Sequence, residues 1–320
     1  MRHSGRFRLA SFLRPPHVAV VLFVSGLAFD VQALEAIKPE RSTLMWLSTG
    51  VGDSSRSAST NQLAYDAESR NVRIGIERGF TDAFAAGVSI GRSTYDVNTT
   101  GQEKDETKTA DVQLFGRLSL GDYRLSGSVA MRDHKTDQAR VFLFGRGDVT
   151  RRLVLDARID AREWIFNVAA GRDFDIGDTG FLSPELSFTH IRVSTDNFIE
   201  TSSGLAGIEV RTADQIQWLA GASLNGGTLW PVGDWVWSAS GLIGVEWLVA
   251  ADLPRSASTF VGSRYAFTTE GYDQSKTGFL MGASLSARHL GGMGASLGVA
   301  HNRQDGFRNT SLSLEIEYDF

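Results

Sequence analysis

The last twelve residues, Asn309-Thr310-Ser311-Leu312-Ser313-Leu314-Glu315-Ile316-Glu317-Tyr318-Asp319-Phe320, decide the fold. Leu312, Leu314, Ile316, Tyr318 and Phe320 fall on one face. Ser311, Ser313, Glu315, Glu317 and Asp319 fall on the other. Alternation with period two is a strand with one apolar and one wet side, whereas a helix would scatter both sets around its circumference.

The same pattern recurs upstream. After Gly233-Asp234, Trp235, Trp237, Ala239, Ile243, Val245 and Trp247 face one way, and Ser238, Ser240, Gly244 and Glu246 face the other. Trp237 and Trp247 lie about 33 Å apart along a strand. With a tilt of about 45° this rises about 24 Å, the height of the outward apolar band of a membrane barrel with aromatics at both rims. Trp235, Trp237, Trp247, Trp164, Tyr318 and Phe320 are therefore the candidate membrane-interface aromatics. Further alternating runs start near Val72, Phe84, Val112, Tyr123, Trp164, Leu182, Ile216, Phe279 and Met293. Arg41 to Val51 is a poorly alternating first strand, with an inward plugging segment as the alternative.

With that segment the count is twelve antiparallel strands, an even number, so the expected fold is an all-β, twelve-stranded transmembrane barrel over residues 34–320. Short connections are expected near residues 80, 121, 178, 233 and 291. Longer ones are expected at 53–69, 98–108, 134–161, 194–213 and 251–274, with a brief final link. Within 134–161, Val141 to Phe144 and Leu153 to Ile159 flank Gly145-Arg146-Gly147-Asp148, so a projecting hairpin is expected. Membrane barrels have short periplasmic turns and longer external loops, which puts both ends of the barrel in the periplasm. Closure satisfies every strand edge, as lipid requires.

Residues 1–33 read as a cleaved signal peptide. Arg2, Arg6, Arg8 and Arg14 are basic, Val18 to Phe29 is apolar, and Val31-Gln32-Ala33 suits cleavage. The apolar run is shorter than the roughly 20 residues of a membrane-spanning helix. This segment carries four arginines and one aspartate, so its loss takes the net charge from −5 to −8. An acidic chain is a poor partner for nucleic acid. There is no cysteine, which excludes thiol catalysis, disulfides and thiolate metal sites. The hydrophobic fraction of 42% is low for a membrane protein of helices but ordinary for a barrel, where half of each strand meets a wet lumen.

The inferred lumen carries Arg73, Glu77, Asp111, Arg117, Arg124, Arg132, Glu163, Asp173, Glu185, Glu246, Arg288, Glu315 and Glu317. Mixed signs suggest pairing across the lumen. Inward Gly75, Gly87, Ser126, Ser128, Gly244, Ser284 and Gly298 leave space for a narrow wet channel, with a plugged lumen as the alternative. Phe115 and Leu219 point inward as packing.

Strand spacing, Leu182-Ser183-Pro184 opening a strand, Phe198-Ile199-Glu200 before Gly204, Ile208-Glu209-Val210, Gly221 and the closing Tyr318-Asp319-Phe320 together resemble the autotransporter translocator domain of Gram-negative bacteria. The resemblance spans roughly residues 41–320. It implies an outer-membrane location, contact with the lipid bilayer and lipopolysaccharide, and recognition of the terminal strand by the barrel-assembly machinery. Members of that family carry a passenger and a pore-threading helix before the first strand. Here Leu34 to Glu40 is too short to thread a membrane at about 1.5 Å per residue, so the expectation is a stand-alone barrel, either a pore or a surface-exposed component.

Two other functions are weighed. Arg146-Gly147-Asp148, at the expected hairpin tip, matches the tripeptide that integrins recognise, although Gly-Asp is also ordinary turn chemistry. His190, ahead of Ser194 and Asp196, would suit a lipid hydrolase at the outer rim, but no Gly-x-Ser-x-Gly motif accompanies it. The remaining histidines of the processed chain, His134, His289 and His301, cluster with nothing, and no metal or cofactor is expected.

Overall fold

A computed structural model of the chain describes residues 42–58, 64–100, 102, 104–146, 149–202, 205–252, 255–261, 266–270 and 276–320. The expected signal peptide, the leader Leu34 to Glu40, Gly147, Asp148 and Gly204 lie outside the described residues.

Among the described residues seventeen strands follow one another: β1 (Thr43–Arg56), β2 (Tyr65–Gly79), β3 (Phe84–Thr99), β4 (Lys104–Leu120), β5 (Tyr123–Arg146), β6 (Val149–Arg172), β7 (Phe174–Ile176), β8 (Gly180–Thr195), β9 (Phe198–Ser202), β10 (Leu205–Thr212), β11 (Gln215–Val232), β12 (Trp235–Ala251), β13 (Arg255–Phe260), β14 (Ala266–Glu270), β15 (Thr277–His289), β16 (Met293–Gln304) and β17 (Phe307–Asp319). Twelve of them, β1 to β6, β8, β11, β12 and β15 to β17, pair antiparallel in a ring. The ring closes where β1 pairs with β17, from Leu44 against Asp319 to Arg56 against Phe307. The expected twelve-stranded barrel is thus observed.

At one rim the Thr43 amide donates to the Phe320 carbonyl (3.1 Å) and the Phe320 amide returns a bond to Thr43 (3.0 Å). Both ends of the barrel therefore share the side of the short turns. Several of those turns are built on glycines with positive φ: Gly121, Gly177, Gly233 and Gly292, at 62°, 63°, 62° and 93°. Tight hairpins need that region, which only glycine enters without a steric penalty.

The outward face is apolar. Leu47, Ile74, Ile90, Leu114, Val168, Leu186, Ile243, Phe279, Leu297, Leu314 and Ile316 are all exposed. A continuous band of this kind is incompatible with water and fits a lipid environment. Among the described residues no helix is long and apolar enough to cross a membrane.

Two expectations change, and one alternative is settled. β1 is a full wall strand, as expected, and not the alternative plug. Met45, Leu47 and Val51 point out and are exposed, while Leu44 is buried and Trp46 turns inward over Gly75 of β2, where an added Cβ would collide with the indole. The sections read as plain loops at 53–69 and 98–108 are mostly paired strand, since β1 and β2 stay in register out to Arg56 and Tyr65, and β3 and β4 out to Asn98 and Lys104. The loops at 194–213 and 251–274 hold β9, β10, β13 and β14. These pair in the order β9–β10–β13–β14 as a small antiparallel sheet, joined to the wall where Thr201 of β9 pairs with Asp156 of β6. The β5–β6 hairpin is continuous to Arg146 opposite Val149 and projects well beyond the belt, as expected.

Candidate functional site

Period two sends every second residue to the barrel axis, and the inward charges lie along the wall. Arg73 of β2 reaches over β3 to Asp111 of β4 (2.6 Å), and it also donates to Gln113 (2.8 Å) and Ser89 (3.0 Å). Arg117 of β4 reaches back to Glu77 of β2 (2.7 Å). Arg124 of β5 holds Asp173 (2.9 Å) and lies 3.6 Å from Glu185 of β8. Arg132 of β5 and His134 each approach Glu163 of β6 at 3.3 Å. With its proton on Nε2 the imidazole donates to Glu163 and its Nδ1 accepts from the Thr109 hydroxyl (2.8 Å). Arg288 of β15 holds Asp319 of β17 (2.7 Å) and approaches Glu317 (3.6 Å).

Five of these ion pairs span a whole strand, and three of the spans run directly over a glycine. Gly91 lies between Arg73 and Asp111, Gly171 between Arg124 and Glu185, and Gly294 between Arg288 and Glu317. A Cβ at Gly91 would sit 2.6 Å from Asp111 Oδ1, one at Gly171 3.3 Å from Arg124 Nη2, and one at Gly294 2.5 Å from Glu317 Oε1. The missing side chain is the space through which the guanidinium reaches its carboxylate. Pairing is therefore along the wall, between neighbours (Arg132 and His134 with Glu163) or across one intervening strand, and not across the lumen.

Glu246 of β12 faces inward between Gly221 and Gly278 and has no ionic partner among the described residues. The wall on this side is made of small groups. Ser238 bonds Ser286, and Ser240 bonds Ser284 at 2.7 Å. Glu315 also faces inward, from the middle of β17. Phe115 lies over Gly87, and Leu219 packs inside with Ile191 and Val193.

The extracellular end has a core of its own. Leu155 and Ile159 of β6 bury against Phe198 of β9 and Ile208 and Val210 of β10. Leu155 and Ile159 share the inward register of Glu163, so the small sheet lies on the axis side of the projecting hairpin. Arg140 of β5 and Glu200 of β9 form an ion pair inside this contact, with Glu200 only 1% exposed. Burial pushes the Glu200 carboxyl above the usual carboxylate range against the pull of Arg140. Beside it, Asp105 and Gln102 cap the free edge of β5, accepting from the Ala139 amide (3.2 Å) and the Val141 amide (2.6 Å). Burial raises the Asp105 carboxyl as well.

The interface aromatics sit at the ends of the belt. Tyr318 stacks on Phe320 (6.1 Å between centroids), Trp164 on Phe166 (6.3 Å), and Trp235 meets His289 edge-on (5.1 Å). Trp237 pairs with Trp230 of β11 at the periplasmic end, while Trp247 is exposed toward the other. His190 is packed between Trp218 (4.0 Å) and Phe166 (5.9 Å). Ser194 lies four residues further on the same strand, about 13 Å away, and bonds Asp214, so the structure does not bring this pair together. Of the adhesion tripeptide, Arg146 ends β5, and Gly147 and Asp148 lie outside the described residues. No group of three or more metal-ligating side chains occurs among the described residues.

Sequence reasoning missed His134, Asp319 as a partner of Arg288, and the whole β9–β10 core. The alternation of Phe198 and Glu200 against Ile199, and of Ile208 and Val210 against Glu209, was the available signal.

The autotransporter beta-domain family model matches residues 45–300. No curated protein matches the chain. Among solved structures, the translocator domain of autotransporter NalP from Neisseria meningitidis superposes with a TM-score of 0.68 at 14% identity, over 90% of this chain and 94% of that one. The beta domain of the Bordetella autotransporter BrkA gives 0.64 at 18% identity, over 87% and 100%. The transport unit of AIDA-I from Escherichia coli gives 0.55 at 13% identity, over 93% and 94%. At these identities the structures speak for the fold alone. The family match spans most of the barrel, and the chain belongs to the autotransporter beta-domain family, barrels of the Gram-negative outer membrane.

Proposed function

We propose that the protein is a hydrated outer-membrane pore of the translocator type. One observation carries this reading: the bulky inward charges are folded flat onto the wall through bare glycines, and the β11–β12–β15 side is lined by Gly221, Ser238, Ser240, Ser284 and Ser286. That arrangement leaves the axis to water. The five paired arginines face a larger set of carboxylates, with Glu246 and Glu315 in addition, so the pore should prefer cations. In planar bilayers the protein is expected to give a cation-selective conductance. Glu246→Gln should move the reversal potential toward zero while leaving the heat-dependent gel mobility of the folded barrel unchanged. A folded protein that leaves the bilayer silent would sink the pore.

A second reading, a binding protein acting through its external loops, rests on the separate core and the Arg140–Glu200 pair above the belt. Loops that only connect strands do not need a buried interior. Deleting residues 141–159 removes that interior and leaves the ring. Loss of host-surface binding with conductance retained is the signature of this reading, and the Arg146-Gly147-Asp148 tip falls within the deleted segment.

A further inference from the structure

The outward face changes character in rows, and the rows follow from register. The row that tops the apolar belt runs Leu47–Ile74–Ile90–Val112–Met131–Trp164 across β1 to β6. Two residues further from the periplasm, Arg92 lies beside Val72 and Ala110. Two further still, Arg70, Thr94, Lys108 and Lys135 lie side by side on β2, β3, β4 and β5. The next row is acidic: Glu68, Asp96, Glu106 and Asp137 on the same four strands. Arg70, Arg92, Lys108 and Lys135 are all exposed. Lys135 is twelve residues beyond Tyr123 at the periplasmic turn. That is about 40 Å of strand and about 28 Å of height after a tilt of about 45°, just above a hydrocarbon band of about 25 Å.

Lys108 and Lys135 are direct cross-strand neighbours. Like charges placed opposite each other destabilise a sheet. Lys108 finds Glu106 at 3.0 Å, and Asp160 lies in register with Lys135, but the cations still lead in this row. Asp133 stands in the Arg92 row, where it is held by Arg162 (2.8 Å), and the larger acidic set, Glu68, Asp96, Glu106 and Asp137, is displaced one row outward from Lys108 and Lys135. A band of cations between hydrocarbon and an anionic rim is the charge complement of a headgroup whose phosphates sit at the hydrocarbon boundary. Anionic lipid attracts each surface Lys or Arg by roughly 1 kcal/mol.

We propose that Arg70, Arg92, Lys108 and Lys135, on the outward face of β2 to β5, bind the phosphate groups of a phosphorylated glycolipid of the outer leaflet. The acyl chains of that lipid lie on the belt below, against Ile74, Ile90 and Val112. The site is independent of the lumen, and it stands or falls apart from the pore.

The test uses the full chain in phosphatidylcholine vesicles doped with bisphosphoryl lipid A, with dephosphorylated lipid A, or with neither. Lipid retained on the captured barrel and the urea midpoint of unfolding are read together. The wild type should retain bisphosphoryl lipid A and gain stability from it, and should gain little from the dephosphorylated form. The triple variant Arg70→Gln/Lys108→Gln/Lys135→Gln should bind about a hundredfold more weakly. In vesicles of phosphatidylcholine alone it should be at least as stable as the wild type, because the Lys108–Lys135 repulsion is gone. If the triple variant does not show the gel mobility of a folded barrel, Lys135→Gln alone should weaken binding about fivefold. Equal retention of the two lipids by the wild type would overturn the proposal. So would unchanged retention by the variants, or displacement of the lipid by inorganic phosphate at matched phosphorus, which would mark a site for a free ion.

Discussion

Arg288→Met should destabilise the folded barrel by about 3–5 kcal/mol, the usual effect of removing one partner from a buried charge pair. Arg288 and Asp319 are 4% and 3% exposed, and Glu317 lies close by. The methionine would leave two carboxylates side by side in the wall with no cation between them. The damage falls at the seam, because Asp319 pairs with Leu44 of β1. Arg288→Lys should recover part of the loss, since the charge returns without the two-pronged guanidinium. The double variant Arg288→Met/Asp319→Asn should lose less than the two single changes summed, because the orphaned charge is removed with its partner. Urea titration of the protein in phospholipid vesicles, followed by gel mobility without boiling, measures all three. A loss within about 0.5 kcal/mol for Arg288→Met would show that water already solvates these groups and that the pair does not hold the seam.

Leu314→Arg should cost about 2–4 kcal/mol, whereas Ser313→Arg, one residue away, should cost little. Leu314 faces out, opposite Thr49 and Leu297, six residues up β17 from Phe320. That places it about 14 Å above the rim at a tilt of about 45°, near the middle of the band. Ser313 faces the lumen opposite Gly298, where an arginine meets water. The same titration reads both. Similar losses at the two positions would mean that the faces do not differ in solvent, which is incompatible with a lipid-embedded wall.

The contrast between those neighbours is also why so much of the barrel could be read from the chain. Where one face meets lipid and the other water, alternation is nearly forced, as in Leu312 to Phe320 and Trp235 to Trp247. Turn glycines such as Gly121 and Gly233 then mark one rim. β1 was obscure because Leu44 and Trp46 are apolar yet face inward. Trp46 fills the space left by Gly75, a partner some thirty residues away that local periodicity does not reveal. The direction of the lumen charges followed from the same alternation, but their pairing did not. Arg73, Arg124 and Arg288 each skip a strand, and the glycine that lets them do so looks like any other glycine in the sequence. β9 and β10 were hidden for a related reason. Glu200 occupies a buried position and breaks the hydrophobic pattern, and its partner Arg140 is sixty residues distant.

Closure of the ring by β1 and β17 is the claim on which the lipid face, the wet lumen and both rims depend. The chain has no cysteine, so a pair introduced across the seam has no competitor. Ser48 and Glu315 are direct partners in that register. Ser48→Cys/Glu315→Cys should oxidise to a disulfide in the membrane-inserted protein and change its mobility on a non-reducing gel. Ser48→Cys/Ser313→Cys, one diagonal step off at about 7–8 Å, should cross-link poorly. Failure of the first pair to form in folded protein, or equal yields from both, would contradict a barrel closed in this register.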